Sequence, residues 1–187
     1  MSTKFIEPIL EHIKLRLISN VPDKLDEIDS EKGDFVLDDI AGYYGGSERL
    51  FRDLVYTKFE STEQRKWVEE IDIIRHIGKV SSDLFPFIDM FFDSPGDDFT
   101  ANSIITEHLV NIRIFAIDDN DENLAKRIYR YLRAITEIMK IDDDLGRQVD
   151  LIRFAGHEYG SNNEIYQGKY LNNGIAKFII SQEEVVQ

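Results

Sequence analysis

Glu69, Asp72 and His76 fall at i, i+3 and i+7, a spacing that places two carboxylates and an imidazole on one face of a helix. Oxygen donors of this kind, with one nitrogen, suit Mg²⁺ or Mn²⁺. Asp89 and Asp93, four residues apart on the next expected helix, offer the carboxylates that complete such a site. The resulting candidate metal set is Glu69, Asp72, His76, Asp89 and Asp93.

A site built that way matches the all-carboxylate Mg²⁺ centres of all-helical nucleotide phosphohydrolases only loosely. It defines the alternative functional reading, a Mg- or Mn-dependent enzyme. The di-metal bundle design needs Glu-x-x-His on paired helices, and that spacing occurs nowhere in the chain. Asp143, Asp150 and His157 share a helical face, but each step of seven residues spans ~10 Å of helix, too far for one ion. Three residues separate Arg153 from His157, fewer than the Arg/His signature of helical ribonucleases requires. The chain has no P-loop, no Gly-x-Ser-x-Gly elbow and no adjacent His-Asp pair. Asp118 to Glu122 lacks the glycine and terminal glutamate of a calcium-binding EF-hand loop. With zero cysteines, disulfides, thiolate metal sites and a cysteine nucleophile are excluded. No catalytic residue is assigned, and the balance leans away from an enzyme.

Charge is the stronger signal. The chain carries a formal net charge of −14. That sign repels nucleic acid and anionic membrane and attracts basic surfaces. Ser81 to Asn123 holds ten acids against one base, Arg113, whereas Leu124 to Lys140 holds five bases against one acid, Glu137. If the basic segment lies beside the acidic one, the pairing closes inside the fold, each exposed pair contributing about 0–1 kcal/mol. If it does not, Asp89, Asp93, Asp97 and Asp98 present an acidic edge to a basic protein partner. The primary functional reading is therefore a non-enzymatic acidic binding protein of the inhibitor, immunity or anti-defence type, including nucleic-acid mimics, with no cofactor. A homo-oligomer, pairing through the C-terminal tail or an aromatic face, is the third reading.

Periodicity predicts the elements that position these residues. Phe5, Ile6, Ile9, Leu10, Ile13 and Leu17 define an amphipathic helix over 4–19, ended by Pro22. Further helices are expected over 47–60, 61–78, 83–92, 100–117, 118–140 and 144–157, with Ser61 and Gln64 as a capping box and acids opening the helix that ends at Lys140. Residues 164–181 read either as a hairpin around Asn172-Asn173-Gly174 or as an irregular helix, and 182–187 as a frayed tail. The expected fold is mainly α: a single domain over 1–187, a bundle of six to eight helices with a small C-terminal hairpin. No apolar run approaches the ~18 residues of a membrane span. The charged N-terminus does not read as a signal peptide, which favours a cytoplasmic setting.

Overall fold

A computed structural model describes residues 6–34, 55–57, 87–99, 103–141, 145, 149–160, 164–166 and 168–185. These residues form a mixed α/β arrangement and not a helical bundle. Among them are two helices, α1 (Ile6–Lys32) and α2 (Asp121–Lys140), and six strands: β1 (Val55–Thr57), β2 (Phe87–Phe99), β3 (Ser103–Asp118), β4 (Leu151–Tyr159), β5 (Glu164–Tyr166) and β6 (Lys169–Val185). The sheet order is β1-β2-β3-β6-β4, with β5 pairing on β6. β1 runs parallel to β2, and every other pairing is antiparallel.

The mainly-α expectation fails first at β3. Ile105, Leu109, Ile112 and Ala116 match a helical stripe, yet apolar residues also occupy 104, 110, 114, 115 and 117. Apolar side chains of both parities, rich in β-branched types, are what a strand buried on both faces requires. Val110, Ile112, Ile114 and Ala116 are buried on the face shared with α2, and Asn111, Phe115 and Ile117 are buried on the other. The expected helices over 83–92 and 144–157 are likewise replaced by β2 and β4 where the chain is described. Of the expected helix over 47–60, the described piece is the strand β1. The expected helix over 61–78 lies outside the described residues.

The antiparallel unit β3-β6-β4 carries α2. Leu124, Ile128, Tyr131, Leu132, Ile135, Ile138 and Met139 form its buried stripe. They meet Gly174, Ala176, Phe178 and Ile180 of β6, which alternate with more exposed residues as the two-residue strand period demands. Asn120 caps the helix, its side chain accepting from the backbone N–H groups of Glu122 and Asn123 at 2.8 and 3.2 Å. Asp121 and Glu122 follow in the first turn and Lys140 closes the last, in accord with the helix dipole.

Helix α1 does not stop at Pro22. The missing N–H and ring clash cost about 3 kcal/mol or more in a helix interior. Beyond the proline, Leu25 and Ile28 continue the stripe of Leu17 and Val21, all four at most 2% exposed. Burying each contributes about 1.5–3 kcal/mol, enough to offset the proline. The helix ends instead at Gly33, whose φ of 70° and N–H bond to the Asp29 carbonyl (2.8 Å) make a left-handed cap.

The tail consists of strands, as one of its two readings had it, but the turn is elsewhere. Tyr166 of β5 pairs with Lys169 of β6, and Asn172-Asn173-Gly174 lies inside β6, opposite Ala116, Phe115 and Ile114. Gly174 is needed because α2 crosses there. A Cβ at that position would sit 2.6 Å from the Ile128 Cγ2 and 2.8 Å from the Leu132 Cδ1. The expected fraying from 182 is also corrected: Gln182 to Val185 pair with Thr106 to Ser103.

Candidate acidic interface

The bases of α2 are answered partly by the end of α1 and the residues just after it, and partly by the last acids of segment 81–123. Lys126, Arg130 and Arg133 recur at i, i+4 and i+7, so they form one stripe. Arg130 reaches Asp29 at 2.5 Å and Asp34 at 2.7 Å. Arg133 bonds Glu31 and Glu137, both at 2.7 Å. Lys126 lies 2.8 Å from Glu122 and 3.8 Å from Asp34. Lys24 extends the network to Glu27 and Glu137 at 2.8 and 2.9 Å. The acidic segment contributes Asp118, 2.7 Å from Arg127, and Glu122. Lys140 sits over the Phe154 ring, 5.1 Å from its centroid. At the same end of α2, Arg16 donates to the Ile138 carbonyl at 2.9 Å, tying α1 to the terminal turn.

The titrations of the network follow from these contacts. The Arg133 hydrogen bond, then that of Lys32, holds Glu31 down to about 2. Arg130 holds Asp34 below its usual range, Arg133 and Lys24 do so for Glu137, and Lys126 for Glu122. Burial pulls the Arg130 guanidinium down, but the bonds to Asp34 and Asp29 outweigh it and leave its pKa raised.

Asp89, Asp93, Asp97 and Asp98 all lie on β2, so the expected helix face for Asp89 and Asp93 does not exist. Four residues apart on a strand is an even step, which keeps both on one face of the sheet. In register, Asp89 stands opposite Arg113 and Asp93 opposite Leu109. The pairing then shifts between Asp93 and Gly96, and Asp97 and Asp98 stand opposite Thr106 and Ile105. As neighbours they belong to opposite faces. β1 pairs only with Ile88, Asp89 and Met90 and their flanks in that register, so among the described strands none borders the outer edge of β2 from Phe91 to Phe99. Three of the four aspartates lie on that stretch.

Glu69, Asp72 and His76 lie outside the described residues. Asp89 and Asp93 belong to a strand and not to the helix expected for them. Among the described residues no group of three or more His, Asp or Glu side chains is placed to hold a metal ion, and no helix is long and apolar enough to cross a membrane.

The sequence reading missed the acidic half of the α1–α2 network. Its signal was present: Asp26, Glu27, Asp29, Glu31 and Asp34 crowd the end of α1 just as bases crowd one stripe of α2. It also missed the edge between α2 and β4. There Thr136 Oγ1 donates to the Leu132 carbonyl at 2.7 Å and lies 2.8 Å from His157 Nε2. Tyr129 stacks on Tyr159 at 4.5 Å, and both rings are exposed. Partial desolvation on the side facing the protein, then the Tyr129 contact, pushes the Tyr159 phenol up to about 12. Burial and the neighbouring Lys140 lower the His157 imidazole.

The chain matches no family model, and the curated proteins contain no match to it.

Proposed function

We propose that this protein is a non-enzymatic acidic binding protein that engages a basic protein partner through β2, with Asp89, Asp93, Asp97 and Asp98 as the contact acids. The observation that carries the reading is the internal commitment of the α2 bases. Lys126, Arg130 and Arg133 are held by carboxylates of α1 and of α2 itself. Among the described residues these three bases are therefore committed to acids other than the β2 aspartates. The edge position of Asp93, Asp97 and Asp98 supports the same reading, as does the net charge of −14.

An acidic edge of this type steers a basic protein into encounter, so association is fast at low salt and slows as salt screens the field. It repels nucleic acid for the same reason, so the partner class is a basic protein, and a nucleic-acid-binding protein is the natural target of an inhibitor with this field. The cysteine-free composition fits a cytoplasmic setting. The test is the association rate with a lysine-rich peptide at low and high salt, for the native chain and for the variant with all four aspartates changed to Asn. Loss of the salt dependence in the variant supports the reading; identical rates for the two chains overturn it.

A further inference from the structure

We infer that β4 is a self-association edge, at which two copies of this chain join their sheets antiparallel about a twofold axis through Ala155 and Gly156. The strand ends the sheet order, so among the described strands none borders its outer side. Helix α2 lies chiefly over β3 and β6, which leaves room beside β4 for the sheet to continue. Large apolar side chains gather along this border: Leu151 (45% exposed), Tyr159 (42%) and Tyr129 (58%).

The register follows from the bulge. β4 pairs with β6 through Phe154 opposite Phe178 and then Gly156 opposite Lys177, so Ala155 is the extra residue. Gly156, at φ 134°, holds the backbone conformation that the bulge requires. One extra residue reverses the alternation of faces. Ile152 and Phe154 therefore share the α2 face with His157 and Tyr159, while Arg153 shares the opposite face with Glu158. In a strand without a bulge, an antiparallel twofold between two adjacent residues would set unlike faces against each other. In β4 it sets like against like.

About that axis Arg153 of one copy stands opposite Glu158 of the other, twice over. Phe154 meets His157, and Ile152 meets Tyr159 with Tyr129 stacked behind it. The two crossed charges are complementary, and each Glu158 already holds Lys177 on the same face. Arg153, Lys140 and Lys177 against Asp150 and Glu158 make this border locally positive. Self-association is thus less opposed here than the chain's net charge of −14 alone would imply. The contact acids on β2 are not involved, so the two surfaces are independent.

The experiment is sedimentation velocity of the full chain across a concentration series, with Arg153→Glu and Glu158→Arg measured alone and mixed. The native chain is expected to be a dimer at high concentration. Each reversal alone places like charges opposite each other at both crossings and weakens the dimer by roughly tenfold or more. An equimolar mixture restores it, because every crossing then pairs Glu with Arg. Far-UV circular dichroism checks that both variants fold; if either does not, the native chain decides alone. A native chain that stays monomeric at the highest concentration overturns the inference, as does a mixture that stays monomeric from two folded variants.

Discussion

Arg130 Nη1 donates to Asp29 Oδ1 at 2.5 Å, joining the middle of α2 to the end of α1 with both side chains at most 8% exposed. This is the one bond of the network shut away from water on both sides among its described members, and it makes α1 and α2 a unit. Removing a single partner of a buried pair leaves an uncompensated charge, at a cost of about 3–5 kcal/mol. Asp34 still reaches Arg130 at 2.7 Å, so Asp29→Ala is expected at the lower end of that range. Replacing both, as Asp29→Leu with Arg130→Met, is expected to cost less than Asp29→Ala alone. Urea unfolding of the three variants checks the order.

Gly174 and α2 are in close contact. Gly174→Ala brings a methyl within 2.6 Å of Ile128 and 2.8 Å of Leu132. Overpacking of this kind costs about 1–3 kcal/mol. Because the overlap involves Leu132, Gly174→Ala and Leu132→Ala together are expected to cost less than the sum of the two singles, by at least about 0.5 kcal/mol. Chemical denaturation of the cycle measures the coupling; strict additivity would mean that the helix moves aside freely.

Acid should unfold the protein in two stages. His157 has a lowered pKa in the fold, caused by burial and then by Lys140. Its neutral form is the native one, so its contribution is complete above the ordinary value of 6.5 and declines as pH falls through it. Glu31, held to about 2, and Glu137, Glu122 and Asp34, also lowered, contribute fully above the ordinary carboxylate range. Their contribution is lost as pH falls from about 4.5 toward 2. Melting temperature against pH is expected to show a shallow decline below 6.5 and a steeper one below 4.5. His157→Gln should flatten the first stage and leave the second; a first stage unchanged in that variant would contradict the role given to His157.

How much of this was legible in the chain depends on which signal was unambiguous. The stripe from Leu124 to Met139 has polar residues on its other face and acids at its start, so α2 could be read directly. The first half of α1 was equally plain, and only Pro22 misled, because tertiary burial of Leu25 and Ile28 is invisible to a local rule. β3 could not be separated from a helix by spacing alone, since a strand buried on both faces satisfies i, i+4 and i+7 by abundance. Its β-branched content was the discriminating clue. Asn172-Asn173-Gly174 had the composition of a turn, but its glycine answers to the approach of α2, a contact separated by more than forty residues of chain. The acids on β2 were legible as acids; that Asp93, Asp97 and Asp98 lie on a stretch bordered, among the described strands, only by β3 was not.

The claim at the centre is that the β2 aspartates, and not the charge of the whole molecule, attract a basic partner. Two variants of equal net charge separate these. One changes Asp89, Asp93, Asp97 and Asp98 to Asn; the other changes Glu7 to Gln and Asp23, Asp26 and Asp121 to Asn, four acids exposed on the helices. Affinity for a lysine-rich peptide at low salt, measured by titration calorimetry, is expected to fall by about tenfold or more in the β2 variant, as losing several charge contacts of modest strength implies, and to fall much less in the helix variant. Equal losses in the two variants, or no loss in the β2 variant, would contradict the claim.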